Sequence, residues 1–304
     1  MNVRSEARRI DTSNAGDRAH IDAALAALAD GLPYDDPVSD AIRYALDAGG
    51  KRLRPILCLA AMDAVGAPGP RPARLRAACA LELIHTYSLV HDDLPCMDDD
   101  DLRRGRPTTH RVFGSRAALV AGIALIPLAC RVLLEAAADM GVPADRAQDA
   151  VHELCGGAGA AGMVGGQVLD LEAEGIPADT AALRRIHAMK TAALFRASLR
   201  IGAVLAGASA ATVDALGDYG EHLGLAFQIT DDVLDVTMDS GSLGKTAGKD
   251  ADAHKATFAA RLGIVDARRA ATAEVDVALA RLGAAGVDSP VLERLARFAA
   301  ERDR

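Results

Sequence analysis

Two stretches of this chain gather more carboxylates than a solvated surface needs. Asp92–Asp101 reads DDLPCMDDDD, six carboxylates in ten residues, and Phe227–Val236 reads FQITDDVLDV, with Asp231, Asp232 and Asp235 close together. Two unit charges about 6 Å apart repel by roughly 0.7 kcal/mol in water and about 3 kcal/mol near a protein surface. Such a cluster is either a solvated loop or a seat for cations. Asp231 and Asp235 stand i, i+4 on one helix face, and Val233, Leu234 and Val236 supply a buried side. Two clusters, each at or within an apolar helix, favour cations. All-oxygen donors suit a hard ion, and Mg²⁺ binds through one or two carboxylates plus substrate phosphate oxygens. Asp92, Asp93, Asp98, Asp231 and Asp235 are the candidate metal ligands. No His/Cys set has zinc spacing, and DLPCMDDDDL lacks the glycine and glutamate of a calcium loop.

Basic groups accompany the carboxylates. GGKRLRP (Gly49–Pro55) sets Lys51, Arg52 and Arg54 at a glycine hinge that includes Gly50, before a helix start whose N–H groups favour anions. Arg103 and Arg104 follow the first acidic loop directly. KTAAL (Lys190–Leu194) offers a point charge and a hydroxyl, from Lys190 and Thr191. Lys245, Lys249 and Lys255 fall in the polar stretch Met238–Ala256, just past the second cluster. In a chain of net charge −8, these sets describe a pocket for a diphosphate held by several Mg²⁺ ions.

The elements that position these groups read as helices. Pro72 to Leu94 holds one long pattern that ends at Asp92 and Asp93. In a continuous helix Asp98 would stand about 240° round from Asp92. Pro95 cannot donate to the carbonyl of His91 and pushes Leu94 out of the α region, so the helix should end and the loop can swing Asp98 back. Asp99, Asp100 and Asp101 then belong to the solvated or supporting part of that loop. Ile21, Leu25 and Leu28 mark an early helix, and Ile42 and Leu46 a short one closed by Gly49-Gly50. Further helices fit Ala117–Ala138, Ala144–Leu171, Thr180–Ala206, Ala211–Thr237, Lys255–Leu262, Val265–Leu282 and Pro290–Asp303.

Aromatics are 3 % and Trp is absent, poor material for sheets. No stretch reads as a convincing strand and the breaks are short. The expectation is one all-α helical bundle over 1–304, with 1–16 a flexible N-terminus. GAGAAG (Gly157–Gly162) matches G-x-G-x-x-G, but it follows the helical QDAVHELC and no strand, so it predicts close helix packing and no nucleotide. The acidic balance argues against nucleic acid. Five cysteines without a CxxC pair read as reduced thiols in a cytoplasmic protein, mostly core filler. The N-terminus MNVRSEARRIDTS has no apolar core behind its basic residues, so it is not read as a signal peptide. The longest apolar run, Ala117–Cys130, carries Pro127 and is too short to span a bilayer; it predicts a buried helix and no membrane insertion.

At these motifs the sequence resembles the trans-isoprenyl diphosphate synthases, and most closely the short-chain bacterial farnesyl diphosphate synthases. The resemblance runs from GGKRLRP through LVHDDLPCMDDDDLRRGRPTTH, GGQVLD (Gly165–Asp170), KTAAL and FQITDDVLDV to LGKTAGKD and KATF. It implies an all-α fold around a deep central cavity, as a homodimer, with about three Mg²⁺ ions, or Mn²⁺ in their place, gripping an allylic diphosphate. Asp92, Asp93 and Asp98 match the first aspartate motif, and Asp231, Asp232 and Asp235 the second. Arg103, Lys190, Thr191, Gln228 and Lys245 match allylic-side contacts, and Lys255, in KATF, is a further candidate substrate-binding residue. Lys51, Arg54, His85 and Arg104 match the isopentenyl diphosphate site, with Gly50 in the same motif.

Product length should follow from what lies below Asp92. Ser88 is one turn down, and Tyr87 stands five residues before Asp92, roughly 7.5 Å along a helix. A ring facing the growing chain would act as a floor and give farnesyl diphosphate (C15). Tyr87 turned into a helix interface, and the likeness of DDLPCMD to geranylgeranyl synthases, keep C20 open. A class I terpene cyclase would carry an Asn/Ser/Glu metal motif in place of DDVLD and would not need GGKRLRP. A non-catalytic partner subunit would be expected to lose carboxylates from one cluster, yet both are complete.

Overall fold

The computed structural model describes residues 15–32, 36–176, 179–237 and 257–302. The chain opens with α1 (Ala15–Asp30), α2 (Pro37–Leu46) and α3 (Leu53–Val65). Asp36 starts α2: its carboxylate accepts from the N–H groups of Val38 and Ser39, and Pro37 takes the first turn, where no N–H is missed. α4 (Arg71–Asp92) is the central helix, buried on every side from Ala77 to Ile84. Its small residues admit α1, α3 and, along most of its length, α6 (Ser115–Asp139).

Between α4 and α6 the chain makes a hairpin and a short helix, α5 (Thr109–Phe113). Strands β1 (Leu102–Arg103) and β2 (Arg106–Pro107) pair antiparallel, Leu102 with Pro107 and Arg103 with Arg106. No strand is expected here from the sequence, because two residues per strand are too few for alternation to register. α7 (Ala144–Ala158) and α8 (Met163–Glu172) replace the single helix expected over Ala144–Leu171, since the glycine-rich Gly159–Gly162 breaks it. The expected close packing is nonetheless present: a Cβ on Gly157 would stand 2.6 Å from the Ala197 Cβ.

The helix expected over Thr180–Ala206 is also interrupted. α9 (Thr180–His187) passes through a π-turn (Ala188–Ala192) into α10 (Ala193–Leu205). Such a one-turn widening re-aims the side chains it carries, here Lys190 and Thr191. α11 (Ala210–Thr237), α12 (Phe258–Leu262), α13 (Ile264–Ala284) and α14 (Pro290–Glu301) complete the described chain. α12 begins after the expected Lys255, with the Thr257 hydroxyl accepting from the Ala260 N–H. A large core joins α1–α4, α6–α8, α10, α11, α13 and α14. A smaller one gathers Leu183, Ile229, Val233, Phe258 and Ala259 with Ala267 and Ala271 of α13.

The architecture is all-α, as expected. The expectation for the run Ala117–Cys130 needs correcting. α6 is the one described helix long and apolar enough to cross a membrane by length and composition. It is not wholly buried: one face packs on α4, and Leu119, Val120, Ile123, Ile126 and Leu134 stay exposed. The cysteines also divide: Cys58 and Cys79 fill the core, Cys130 is half-buried, and Cys96 and Cys155 are exposed, so core filler describes only some of them.

Candidate active site

α4 ends where Pro95 requires. The Leu94 N–H donates to the His91 carbonyl, and the Asp98 N–H donates to the Asp92 carbonyl at 2.8 Å. The loop thus returns Asp98 to the helix end, as the sequence predicts. Burial pushes the Asp92 carboxyl up to about 6; Lys190 and Arg103 oppose the shift, and Asp98 and Asp93 reinforce it. Asp93 is turned away: its carboxylate, 4 % exposed, accepts from the Arg103 Nε at 2.9 Å. Asp100, expected in the solvated or supporting part of the loop, takes the supporting role: its side chain is largely buried and pairs with the same guanidinium at 3.2 Å. Arg103 is therefore braced from two sides. Asp101 fits the solvated role, exposed and paired with Arg111.

The basic residues of GGKRLRP part company. Arg52 turns inward, its Nη1 donating to Glu82 at 2.6 Å and its Nε to Asp22 at 2.8 Å, so it braces the fold. Arg54 stacks on Phe195 with its Cζ 5.1 Å from the ring centroid, and its buried Nε has no protein partner. Burial pushes Arg54 down to about 10, with Glu82 opposing and Arg104 reinforcing. Lys51 is exposed, its Nζ 5.9 Å from the Phe227 ring and 6.0 Å from that of Phe298. Arg104, at φ 55, donates to the Gly49 carbonyl and lies where a Cβ on Gly50 would stand. Arg52 (φ 51), Asp99 (φ 48) and Arg104 are the positive-φ non-glycine residues among those described, and all lie in these two motifs. Burial first, then the charges of Arg54 and Arg104, hold His85 well below the usual histidine range and so neutral.

The second aspartate motif lies on α11. Asp231, 37 % exposed, pairs at 2.7 Å with Nη2 of Arg302, whose Cζ lies 3.6 Å from the Phe227 ring centroid. Asp235 is half-buried. Asp232 is buried: its Oδ2 accepts from the Phe258 N–H at 2.9 Å and its Oδ1 from Gln228 at 3.2 Å. Burial raises Asp232 to about 7. Across from α11, the π-turn presents Lys190, whose Nζ donates to Asp170 at 2.6 Å, and Thr191, which donates to Gln228 at 2.8 Å. Tyr87 is buried edge-on to His91 with ring centroids 5.7 Å apart; burial, then Asp92, raises it to about 12. The Ser88 hydroxyl donates to the His85 carbonyl.

Electrostatic coupling joins the sets: Lys190 acts on Asp92, and Asp231 acts on Arg54. Lys245, Lys249 and Lys255 lie outside the described residues. Sequence reasoning missed Asp170, Arg302 and Gln167. Asp170 and Gln167 stand in GGQVLD, and the buried Gln167 amide has no protein partner at either end. Arg302 carries no local signal; only the fold brings α14 onto α11.

The donor chemistry fits Mg²⁺. Asp92 is a half-buried carboxylate among like charges, and the nearby donors are oxygens. Among the described residues no three His, Cys, Asp or Glu side chains form one ready-made metal cluster.

A family model described as polyprenyl synthetase matches residues 35–285. The large subunit 1 of a heterodimeric chloroplastic geranylgeranyl pyrophosphate synthase of Arabidopsis thaliana is 46 % identical over 247 residues, 80 % of this chain and 66 % of that protein. The chain thus spans about two thirds of that relative's length. The apo crystal structure of an FPP/GFPP synthase from Zymomonas mobilis superposes with TM-score 0.82 at 37 % identity, covering 97 % of this chain and 99 % of that one. A geranyltransferase from Helicobacter pylori, complexed with magnesium and isoprenyl diphosphate, superposes with TM-score 0.78 at 30 % identity over 94 % and 96 % of the two chains.

Proposed function

Because the chain belongs to the polyprenyl synthetase family, we propose that it condenses isopentenyl diphosphate with an allylic diphosphate into a linear prenyl diphosphate. The observation that carries this reading is the pairing of two differently equipped anion sites. One lies among Asp92, Asp98, Lys190 and the braced Arg103, where carboxylates dominate and a diphosphate needs Mg²⁺. The other lies at Arg54, Arg104, neutral His85 and Lys51, where cations suffice.

Bound Mg²⁺, held by Asp92 and Asp98 on one side and Asp231 and Asp235 on the other, would take up charge on the leaving diphosphate. Lys190 and Arg103 hold that leaving group in place. Arg54, Lys51 and Arg104 fix the isopentenyl diphosphate so that its double bond meets the allylic carbon. The proton lost afterwards goes to the released diphosphate. Apolar walls from α4, α6 and α10 keep water from the reacting carbons.

The relatives named for geranylgeranyl diphosphate support a C20 product, a better-supported reading than C15. Tyr87 favours C15, since its ring is buried five residues below Asp92 on α4 and feels that carboxylate's charge; its place in the large core between helices is the helix-interface placement that leaves C20 open. Mass spectrometry of products from wild type and Tyr87→Ala decides. A wild type stopping at C15 and lengthening on substitution makes the ring a floor; C20 from both removes it. The exposed apolar face of α6 supports a homodimer, a second copy covering Ile123 and its neighbours.

A further inference from the structure

Asp232 differs from its neighbours in the second aspartate motif. Asp231 and Asp235 share one face of α11, whereas Asp232, about 100° round from Asp231 and about 60° from Asp235, lies on the side of the helix toward Ile229 and Val233 of the smaller core. Its side chain is 7 % exposed. Both carboxylate oxygens are already engaged, Oδ2 by the Phe258 N–H and Oδ1 by Gln228. Gln228 in turn accepts from Thr191 on the π-turn at 2.8 Å. The His187 ring closes the other side, its Nε2 3.7 Å from Oδ2 and its centroid 5.3 Å from that of Phe258. Four elements, α9, the π-turn, α11 and α12, therefore meet at this carboxylate.

We propose that Asp232 is a positioning residue and not a cation ligand: it pins the start of α12 to α11 and, through Gln228, sets the Thr191 hydroxyl on the wall beside Lys190. The inference rests on the diphosphate-binding reading above and assigns this carboxylate a different task within it. A cation with its waters would have to enter a site where the carboxylate is 7 % exposed and both oxygens already accept, and displacing the Phe258 N–H to make room would leave a buried donor unsatisfied, which is costly. An asparagine can do the same work. Its Oδ1 accepts from Phe258, its Nδ2 donates to a flipped Gln228 carbonyl, and the Gln228 amide then donates to the Thr191 oxygen. Asp231→Asn has no such rescue, since a ligand of Mg²⁺ needs its charge.

The test uses the full chain and inorganic pyrophosphate with Mg²⁺, titrated calorimetrically, together with melting temperature and Michaelis constants. Asp232→Asn should melt near wild type and bind Mg²⁺-pyrophosphate within about threefold, while Asp231→Asn loses at least about tenfold. Asp232→Ala should melt lower, and its KM for the allylic substrate should rise about tenfold with that for isopentenyl diphosphate within about twofold. Loss of Mg²⁺-pyrophosphate binding in Asp232→Asn as large as in Asp231→Asn would overturn the inference, as would equal shifts of both Michaelis constants in Asp232→Ala. A wild-type chain that binds no Mg²⁺-pyrophosphate would instead overturn the parent reading, and this inference with it.

Discussion

Removing the Glu82 charge, as Glu82→Gln, should destabilise the protein while leaving the diphosphate sites built. Arg52 and Glu82 are each 3 % exposed at the side chain and 2.6 Å apart, between α3 and α4. Truncating one partner of such a pair costs about 3–5 kcal/mol, because the other charge stays buried. Arg52 also holds Asp22, which is 41 % exposed, and donates to the Leu46 carbonyl at 2.8 Å. It is not left wholly unpaired, so the lower end, about 3 kcal/mol, applies. At roughly 2 °C per kcal/mol for a chain of this size, the melting temperature should fall by about 6 °C in scanning calorimetry. Replacing both residues by methionine should recover most of the loss, since neither charge then needs solvating. A loss below about 1 kcal/mol for Glu82→Gln, or a double variant no better than the single one, would refute the reasoning.

Asp92 sets a pH dependence. Its folded value of about 6 lies above the ordinary 3.8, so the metal-free folded state holds a proton that the unfolded state has released. The Asp92 contribution to stability is therefore present below pH about 4 and lost as pH rises through about 6. Cation binding runs the other way: calorimetric affinity for Mg²⁺-pyrophosphate should fall as pH drops below about 6, by up to tenfold per unit. Ile123→Asp should convert a dimer to a monomer in sedimentation with the helical circular dichroism retained; an unchanged sedimentation coefficient counts against the α6 face. Asp93→Asn should weaken allylic diphosphate binding through a loosened Arg103, raising its KM about tenfold and that for isopentenyl diphosphate far less.

The sequence showed most clearly what depends on period and local chemistry. The helical pattern, the stop at Pro95 and the return of Asp98 all follow from rules acting over a few residues, and each is present. What it hid depends on which way a side chain turns. Arg52 and Arg54 stand two apart in one basic motif, yet one braces Glu82 and the other stacks on Phe195 with a donor unmet. Asp231 and Asp232 are adjacent, yet one pairs at 37 % exposure and the other is locked behind Gln228. The π-turn under Lys190 left no mark in apolar spacing, because one extra residue in a helix shifts the pattern too little to see. Arg302 reached Asp231 only through tertiary packing.

The central claim is that two diphosphates are brought together for carbon–carbon bond formation with divalent cations. It is tested most directly by supplying isopentenyl and dimethylallyl diphosphates with Mg²⁺ and identifying the products by mass spectrometry. The account predicts a linear prenyl diphosphate that disappears with chelator and falls by orders of magnitude in Asp231→Ala. A cyclic hydrocarbon, no product, or undiminished turnover without divalent metal would contradict it.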